Sequence, residues 1–225
     1  MQENVCTING KTVTLYPAMA ANQPLIVLNS YDEDEAAAVA AALRTFKDAD
    51  CNLLSVSGLN WNHDLTPWFC PPLSPRDAAC TGGADDYLQV LLNGILPQAE
   101  RMIAGTPPYI GIAGYSLAGL FAVYALYQTD VFDRAASISG SLWFPDFSAY
   151  CQSHSLKKRP KKLYFSLGDK EAKTRNDRLK TVQAQTEALV NDFRDAGIAA
   201  TWELNPGNHF RDAALRSAKG IRSIL

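Results

Sequence analysis

One short segment limits what this chain can fold into more than any other: an apolar run that ends in a tight turn and continues at once as a helix. Residues 109–113 read Tyr-Ile-Gly-Ile-Ala, then come Gly114, Tyr115 and Ser116, and the helix-forming sequence Leu-Ala-Gly-Leu-Phe-Ala follows. The pattern predicts a buried strand, a sharp turn with an exposed serine hydroxyl, and a helix. Small residues are needed two positions before and after such a serine, because strand and helix approach closely there. Gly114 and Ala118 meet that need.

The segment allows three interpretations. The glycines at 111, 114 and 119 could form a dinucleotide-binding turn, but their spacing is G-x-x-G-x-x-x-x-G rather than G-x-G-x-x-G. No acidic residue ends a following strand near residue 139, as that site requires. A Gly-x-Ser-x-small pattern also arises by coincidence in many proteins. The third interpretation is the nucleophile elbow of α/β hydrolases, in which the N–H after the serine faces a developing oxyanion.

The rest of the chain alternates apolar, β-branched runs with helical patterns, which predicts an α/β protein. Strands are predicted at 12–16, 25–29, 52–57, 109–113, 135–139, 162–166 and 200–204, and helices at 34–46, 84–102, 117–127, 177–195 and 212–225. Alternation of this kind favours a mostly parallel central sheet with helices on both faces. Only residues 140–161 separate two of the strands where many hydrolases insert a lid, so we expect no sizeable lid domain.

Composition limits the partners and the organisation of the chain. Of the 225 residues, 47% are hydrophobic and the formal net charge is −2. We therefore expect one domain over residues 1–225. The chain has no excess of positive charge that would attract nucleic acid or an anionic membrane. The longest irregular stretch, 58–83, exceeds the usual length of a connection and is interpreted as a functional loop.

The cysteines and the N-terminus bear on cofactors and location. The chain has five scattered cysteines and no C-x-x-C pair, so the pattern suggests neither a zinc site nor a disulfide framework, and no metal or cofactor is expected. Residues 1–4 lack a basic and apolar signal sequence, and no run approaches about 18 apolar residues. We expect a soluble chain with reduced thiols, most simply cytoplasmic; removal of an earlier signal peptide is the alternative.

A catalytic serine needs a general base and an acid that orients the base, which in α/β hydrolases follow in the order Ser, acid, His. His209 lies directly after the last predicted strand and before the C-terminal helix, which is the position expected for the base. The acid should follow the strand at 162–166, where Asp169 and Glu171 both stand. The third position after a turn glycine, counted from Gly168, favours Glu171, with Asp169 as second choice.

The oxyanion hole should combine two backbone N–H groups. One is that of Leu117, directly after Ser116. The other belongs to the loop after the strand at 25–29, where Ser30 or Tyr31 would supply it.

With these residues placed, the chain resembles the esterase family of α/β hydrolases that includes enterochelin (siderophore) esterases and feruloyl-type esterases. The resemblance covers most of the chain. Its motifs are Gly-Tyr-Ser-Leu-Ala-Gly-Leu-Phe at 114–121, Ser-Gly-Ser-Leu-Trp-Phe-Pro-Asp at 139–146, Gly-Asp-Lys-Glu at 168–171 and Gly-Asn-His-Phe at 207–210. It implies Ser116 as nucleophile, His209 as base, Glu171 as acid, and Trp143 in the wall of the substrate pocket.

The expected function is therefore hydrolysis of a small-molecule carboxylic ester through an acyl-enzyme. An open site lined by Tyr115, Trp143, Trp61 and Trp68 would suit small or aromatic esters, and the resemblance extends this to siderophore-type esters. Acyl transfer by the same residues and a non-catalytic binding protein are the alternatives. The chain is expected to act as a monomer or homodimer.

Overall fold

A computed structural model describes residues 4–225, and its centre is a single large β-sheet. The strands are β1 (Asn4–Ile8), β2 (Lys11–Tyr16), β3 (Leu25–Asn29), β4 (Asn52–Ser57), β5 (Phe69–Cys70), β6 (Cys80–Thr81), β7 (Ile110–Tyr115), β8 (Phe132–Ile138), β9 (Lys162–Gly168) and β10 (Ala200–Asn205). Eight of them pair in the order β1-β2-β4-β3-β7-β8-β9-β10, and β5 and β6 form a separate ribbon. The pairs from β4 to β10 are parallel, whereas β1–β2 and β2–β4 are antiparallel.

Helices cover both faces of this sheet. They are α1 (Glu33–Leu43), α2 (Trp61–Asp64), α3 (Ala84–Val90), α4 (Leu96–Met102), α5 (Leu117–Gln128), α6 (Phe147–Ser153), α7 (Val182–Asp195) and α8 (Ala213–Ile224). Helices α1 and α8 share one apolar cluster with one side of the central strands, while α3, α4, α5, α6 and α7 contribute to the cluster on the other side. The molecule thus has the α/β-hydrolase fold that the sequence pattern predicts.

Burial explains why the central elements form where they do. Every residue of β3 and β4 is buried, as expected for parallel strands covered on both faces. In α5, all residues from Leu117 to Tyr127 are buried, so this helix is apolar around its whole circumference. Strand β7 is also buried from Gly111 to Tyr115, so Ser116 lies between two buried elements.

All seven predicted strands are present, but several other elements differ from the prediction. The predicted helix at 84–102 is interrupted by a π-helical turn at Leu91–Ile95, followed by Pro97 in the first turn of α4. Proline lacks the N–H that an uninterrupted α-helix needs at that position. Strand β1 and the short helices α2 and α6 have no predicted counterpart.

The stretch at 58–83 is less irregular than expected, because it contains α2 and the β5–β6 ribbon. Between β8 and β9 the chain forms only a loop and α6, so no lid domain stands over the sheet in the part that the structure describes. Within residues 4–225, no helix is long and apolar enough to cross a membrane.

Candidate active site

Ser116 stands at the junction of β7 and α5 in a strained backbone conformation. Its φ is 58° and its ψ is −121°, a region that non-glycine residues seldom adopt. Close packing around it depends on small neighbours: a Cβ on Gly114 would lie 2.4 Å from the Ala118 carbonyl group. A Cβ on Gly119 would lie 2.9 Å from the Gly114 oxygen. The local sequence therefore permits a turn that a larger residue at 114 would prevent.

His209 reaches Ser116 from the loop between β10 and α8. Its Nε2 lies 3.1 Å from the Ser116 Oγ, and its Nδ1 lies 2.6 Å from the Glu171 Oε2. The Tyr115 hydroxyl donates a 2.6 Å hydrogen bond to the His209 carbonyl, and the two rings pack with centroids 5.3 Å apart. The structure thus brings three sequence-predicted residues, from three loops at the carboxyl edge of the sheet, into one hydrogen-bonded chain.

Glu171 is held as an ionised acceptor. Its side chain is 5% exposed. Its Oε1 accepts hydrogen bonds from the Ser139 hydroxyl at 2.7 Å and from the Gly168 N–H at 2.5 Å. Burial alone would raise the pKa of Glu171, but the hydrogen bonds from His209, Gly168 and Ser139 outweigh it and hold the pKa below its usual value.

Asp169, the second choice for the acid, faces a different partner. Its Oδ1 accepts the Gly207 N–H at 2.7 Å, and the Lys170 N–H donates to the Gly207 carbonyl at 3.1 Å. These contacts join the loop after β9 to the loop that carries His209. Asp169 therefore supports the histidine loop, while Glu171 contacts the imidazole itself.

Arg216, a buried residue of α8 that is 2% exposed, was not among the predicted site residues. Its Nη1 lies 3.3 Å from the Glu171 Oε1 and 3.1 Å from the Asn208 carbonyl, and its Nη2 donates to the Pro206 carbonyl at 2.8 Å. One guanidinium thus joins the acid to the loop that carries the base. An arginine on the buried side of an amphipathic helix was the available clue, since charged side chains are rarely buried without a partner.

The N–H groups predicted for the oxyanion hole differ in availability. The N–H of Leu117 belongs to the first residue of α5, where an α-helix offers no internal acceptor. The Ser30 N–H donates to the Val56 carbonyl at 3.0 Å and continues the β3–β4 ladder, so it is not free to donate to an oxyanion. The Tyr31 N–H donates to the Glu35 Oε2 at 2.6 Å. Tyr31 can face an oxyanion only after that carboxylate moves.

Three cavities border Ser116, with volumes of about 230, 240 and 530 Å³. Trp143 lines the two smaller cavities, and Tyr115 lines the largest. Trp61 borders the largest cavity and one of the smaller ones. Three of the four aromatic residues predicted around the site therefore border the serine.

Trp68 does not line these cavities. Its Nε1 donates to the Pro145 carbonyl at 3.0 Å, and its ring packs against Phe144, Phe147 and Tyr150. The apolar character of a tryptophan in a long loop does not reveal whether it faces substrate or core, so the sequence could not distinguish Trp68 from Trp61. Ser141, which the sequence did not single out, lies in the site instead: its Oγ is 3.4 Å from the Ser116 Oγ.

The sheet order and the serine at a strand–helix turn define an α/β hydrolase. The chain belongs to the esterase family described as "Putative esterase", whose model matches residues 66–213.

Individual proteins share sequence or fold with this chain. The chain is 25% identical to the protein YbbA of Bacillus subtilis (strain 168) over 149 residues, which are 65% of this chain and 60% of YbbA. The match thus spans less than two thirds of that relative. An IroE-like serine hydrolase from Shewanella oneidensis shares the fold with a TM-score of 0.81 at 16% identity, over 98% of this chain and 78% of that one. The enterobactin esterase Fes from Shigella flexneri gives a TM-score of 0.69 at 16% identity, over 99% of this chain and 58% of that one.

Proposed function

We propose that this protein is a serine carboxylic-ester hydrolase. The observation that carries the proposal is the continuous hydrogen-bonded chain from Ser116 through His209 to Glu171, placed at a strained strand–helix turn. Membership of the esterase family supports the reaction class. The fold shared with the IroE-like serine hydrolase and the enterobactin esterase Fes agrees with it.

The geometry supports a two-step reaction. His209 accepts the proton of the Ser116 hydroxyl through Nε2, and the serine oxygen attacks the ester carbonyl. Glu171 holds Nδ1–H and stabilises the imidazolium that forms. The Leu117 N–H stabilises the oxyanion, with the Tyr31 N–H as second donor once Glu35 releases it. His209 then protonates the leaving alcohol, and water hydrolyses the acyl-enzyme by the same steps.

The cavity walls favour small or aromatic esters. The rings of Trp61, Tyr115 and Trp143 border the serine, and no lid covers them among the described residues. The Fes protein was crystallised with 2,3-dihydroxy-N-benzoyl-serine, a small aromatic ligand. Its size and ring are compatible with these walls. The acidic residues Asp32 and Glu35 border the largest cavity and would disfavour a highly anionic substrate there.

The decisive experiment is labelling by a fluorophosphonate probe combined with turnover of p-nitrophenyl acetate. Wild type should label on Ser116, and Ser116→Ala should abolish labelling and reduce kcat at least about a thousandfold. Ser141→Ala is a matched control, because it removes a second hydroxyl from the same cavities and should still label. Full turnover by Ser116→Ala, or absence of labelling in wild type, would refute the proposal.

A further inference from the structure

Two cysteines that lie ten positions apart in the sequence face each other in the structure. Cys70 ends β5 and Cys80 begins β6, and the two residues are direct partners in the antiparallel β5–β6 ribbon. Directly opposed residues of an antiparallel pair have Cα atoms roughly 4.5–5.5 Å apart, and their side chains point to the same face. A disulfide requires Cα atoms about 4.4–6.8 Å apart, so this backbone already satisfies it.

The two side chains lie opposite each other in the ribbon, and each thiol influences the pKa of the other. Both residues are buried. The Arg178 guanidinium lies 3.0 Å from the Cys70 sulfur and also donates to the Pro71 carbonyl at 2.7 Å. A cation beside a sulfur favours its thiolate form, so Cys70 is the better placed of the two for a first attack.

Both cysteines belong to the buried core and also border the candidate active site. Cys70 and Cys80 line one of the cavities that reach Ser116, together with Trp143. The chain between them, residues 71–79, supplies much of the same wall through Pro71, Pro72, Leu73, Asp77 and Ala78. The two cysteines therefore stand at the base of the loop that shapes this cavity.

We propose that Cys70 and Cys80 form a disulfide that closes the 71–79 loop and fixes the cavity wall beside Ser116. The role of that wall in ester turnover rests on the proposed function, whereas formation of the bond does not. The chain would thus exist in a reduced form with a looser wall and an oxidised form with a rigid one.

The oxidant we name is a low-molecular-weight disulfide, such as oxidised glutathione. The Cys70 thiolate attacks one of its sulfurs, which forms a mixed disulfide and releases one glutathione thiolate. The Cys80 thiolate then attacks the Cys70 sulfur and releases the second glutathione. The protein loses two electrons and two protons, and the oxidant gains them as two thiols.

Burial affects the rate of this exchange. It raises the pKa of Cys70, and it raises the pKa of Cys80 to about 11. Since the thiolate is the reacting form, exchange in the native protein should accelerate as the pH rises.

The test is incubation of native protein, and separately refolding from urea, with oxidised glutathione, followed by alkylation in denaturant and peptide mapping. We expect three of the five cysteines to alkylate and a linked Cys70–Cys80 peptide to appear. Wild type should melt roughly 5 °C or more higher when oxidised than when reduced. Cys70→Ser with Cys80→Ser should show no such difference, whereas Cys51→Ala with Cys151→Ala should retain it.

Five alkylated cysteines after both treatments, or linkage of other cysteines, would overturn the proposed bond. These readouts need no activity, so they separate failure of the bond from failure of the esterase proposal. The wall is tested by comparing KM for aromatic esters in the two redox forms. A KM that differs severalfold in wild type, and not in the Cys70–Cys80 double variant, supports the wall; an unchanged KM refutes that part.

Discussion

At the residue scale, Glu171 and Asp169 stand two positions apart but differ sharply in their contacts. The Glu171 carboxylate touches His209 Nδ1, while Asp169 accepts the Gly207 N–H. Glu171→Gln should lower kcat about 10³–10⁴-fold, because an amide cannot stabilise the imidazolium. Asp169→Asn retains an oxygen that can accept the Gly207 N–H and should cost less than about tenfold. Steady-state kinetics on one ester compares them, and a larger loss in Asp169→Asn would contradict the assignment.

The pKa of Glu171 also predicts how stability depends on pH. Hydrogen bonds from His209, Gly168 and Ser139 overcome burial and lower this pKa from its usual 4.5. A carboxyl with a lowered folded-state pKa stabilises the protein above its unfolded-state pKa, and this contribution is lost as the pH falls through the folded-state value. The difference in unfolding free energy between wild type and Glu171→Gln should therefore shrink below pH 4.5. Urea denaturation across acid pH measures it, and a constant difference would contradict the expectation.

Glu35 provides a third prediction, because its carboxylate accepts the Tyr31 N–H that we propose as the second oxyanion donor. Glu35→Ala frees that N–H and removes a negative charge from a cavity that contains Ser116. We expect kcat to rise a few-fold, with little change in KM, since the benefit arises with the oxyanion. Asp34→Ala is the matched control, an exposed acid in the same helical turn, and should leave kcat unchanged. A fall in kcat for Glu35→Ala would show that Tyr31 is positioned by Glu35 rather than blocked by it.

At the element scale, the turn between β7 and α5 is limited by the space at Gly114. A Cβ there would lie 2.4 Å from the Ala118 carbonyl carbon and oxygen, which are backbone atoms that cannot move aside. Gly114→Ala should therefore destabilise the fold by about 1–3 kcal/mol and displace Ser116. Ala118→Gly, the control, adds space and should cost only about 0.5–1 kcal/mol. Thermal unfolding and fluorophosphonate labelling measure both effects, and a fully active Gly114→Ala would contradict this account.

The elements that could be predicted share a physical cause. Strands β3 and β7 are covered on both faces, so each forms a short, mostly apolar run in the sequence. The β5–β6 ribbon has two residues in each strand and depends on pairing across a ten-residue separation. Local patterns do not encode such a pairing. This is also why Cys70 and Cys80 appeared unrelated in the sequence.

At the scale of the whole molecule, the candidate site is assembled from residues that lie far apart in the sequence. The order of serine, acid and histidine is a topological rule, so Ser116 and His209 could be placed from the sequence. The acid could be assigned to the loop after β9, with Glu171 preferred and Asp169 as the second choice. Arg216 could not, because its role depends on how α8 packs against the loops after β9 and β10. The same holds for the difference between Trp143, which borders the serine, and Trp68, which packs against aromatic side chains.

Arg216 therefore carries the prediction that belongs to the whole fold. Its guanidinium contacts Glu171 Oε1, the Asn208 carbonyl and the Pro206 carbonyl, and thereby joins α8 to the acid and to the loop that carries the base. Arg216→Ala leaves these buried acceptors unpaired and should cost about 3–5 kcal/mol in unfolding free energy. Arg216→Lys keeps the charge but loses the planar fork, so it should regain much of the stability while kcat stays low and KM changes little. Such a separation of stability from kcat identifies Arg216 as a positioning residue. If Arg216→Lys restored neither, or if kcat followed stability in both variants, the residue would serve the fold alone.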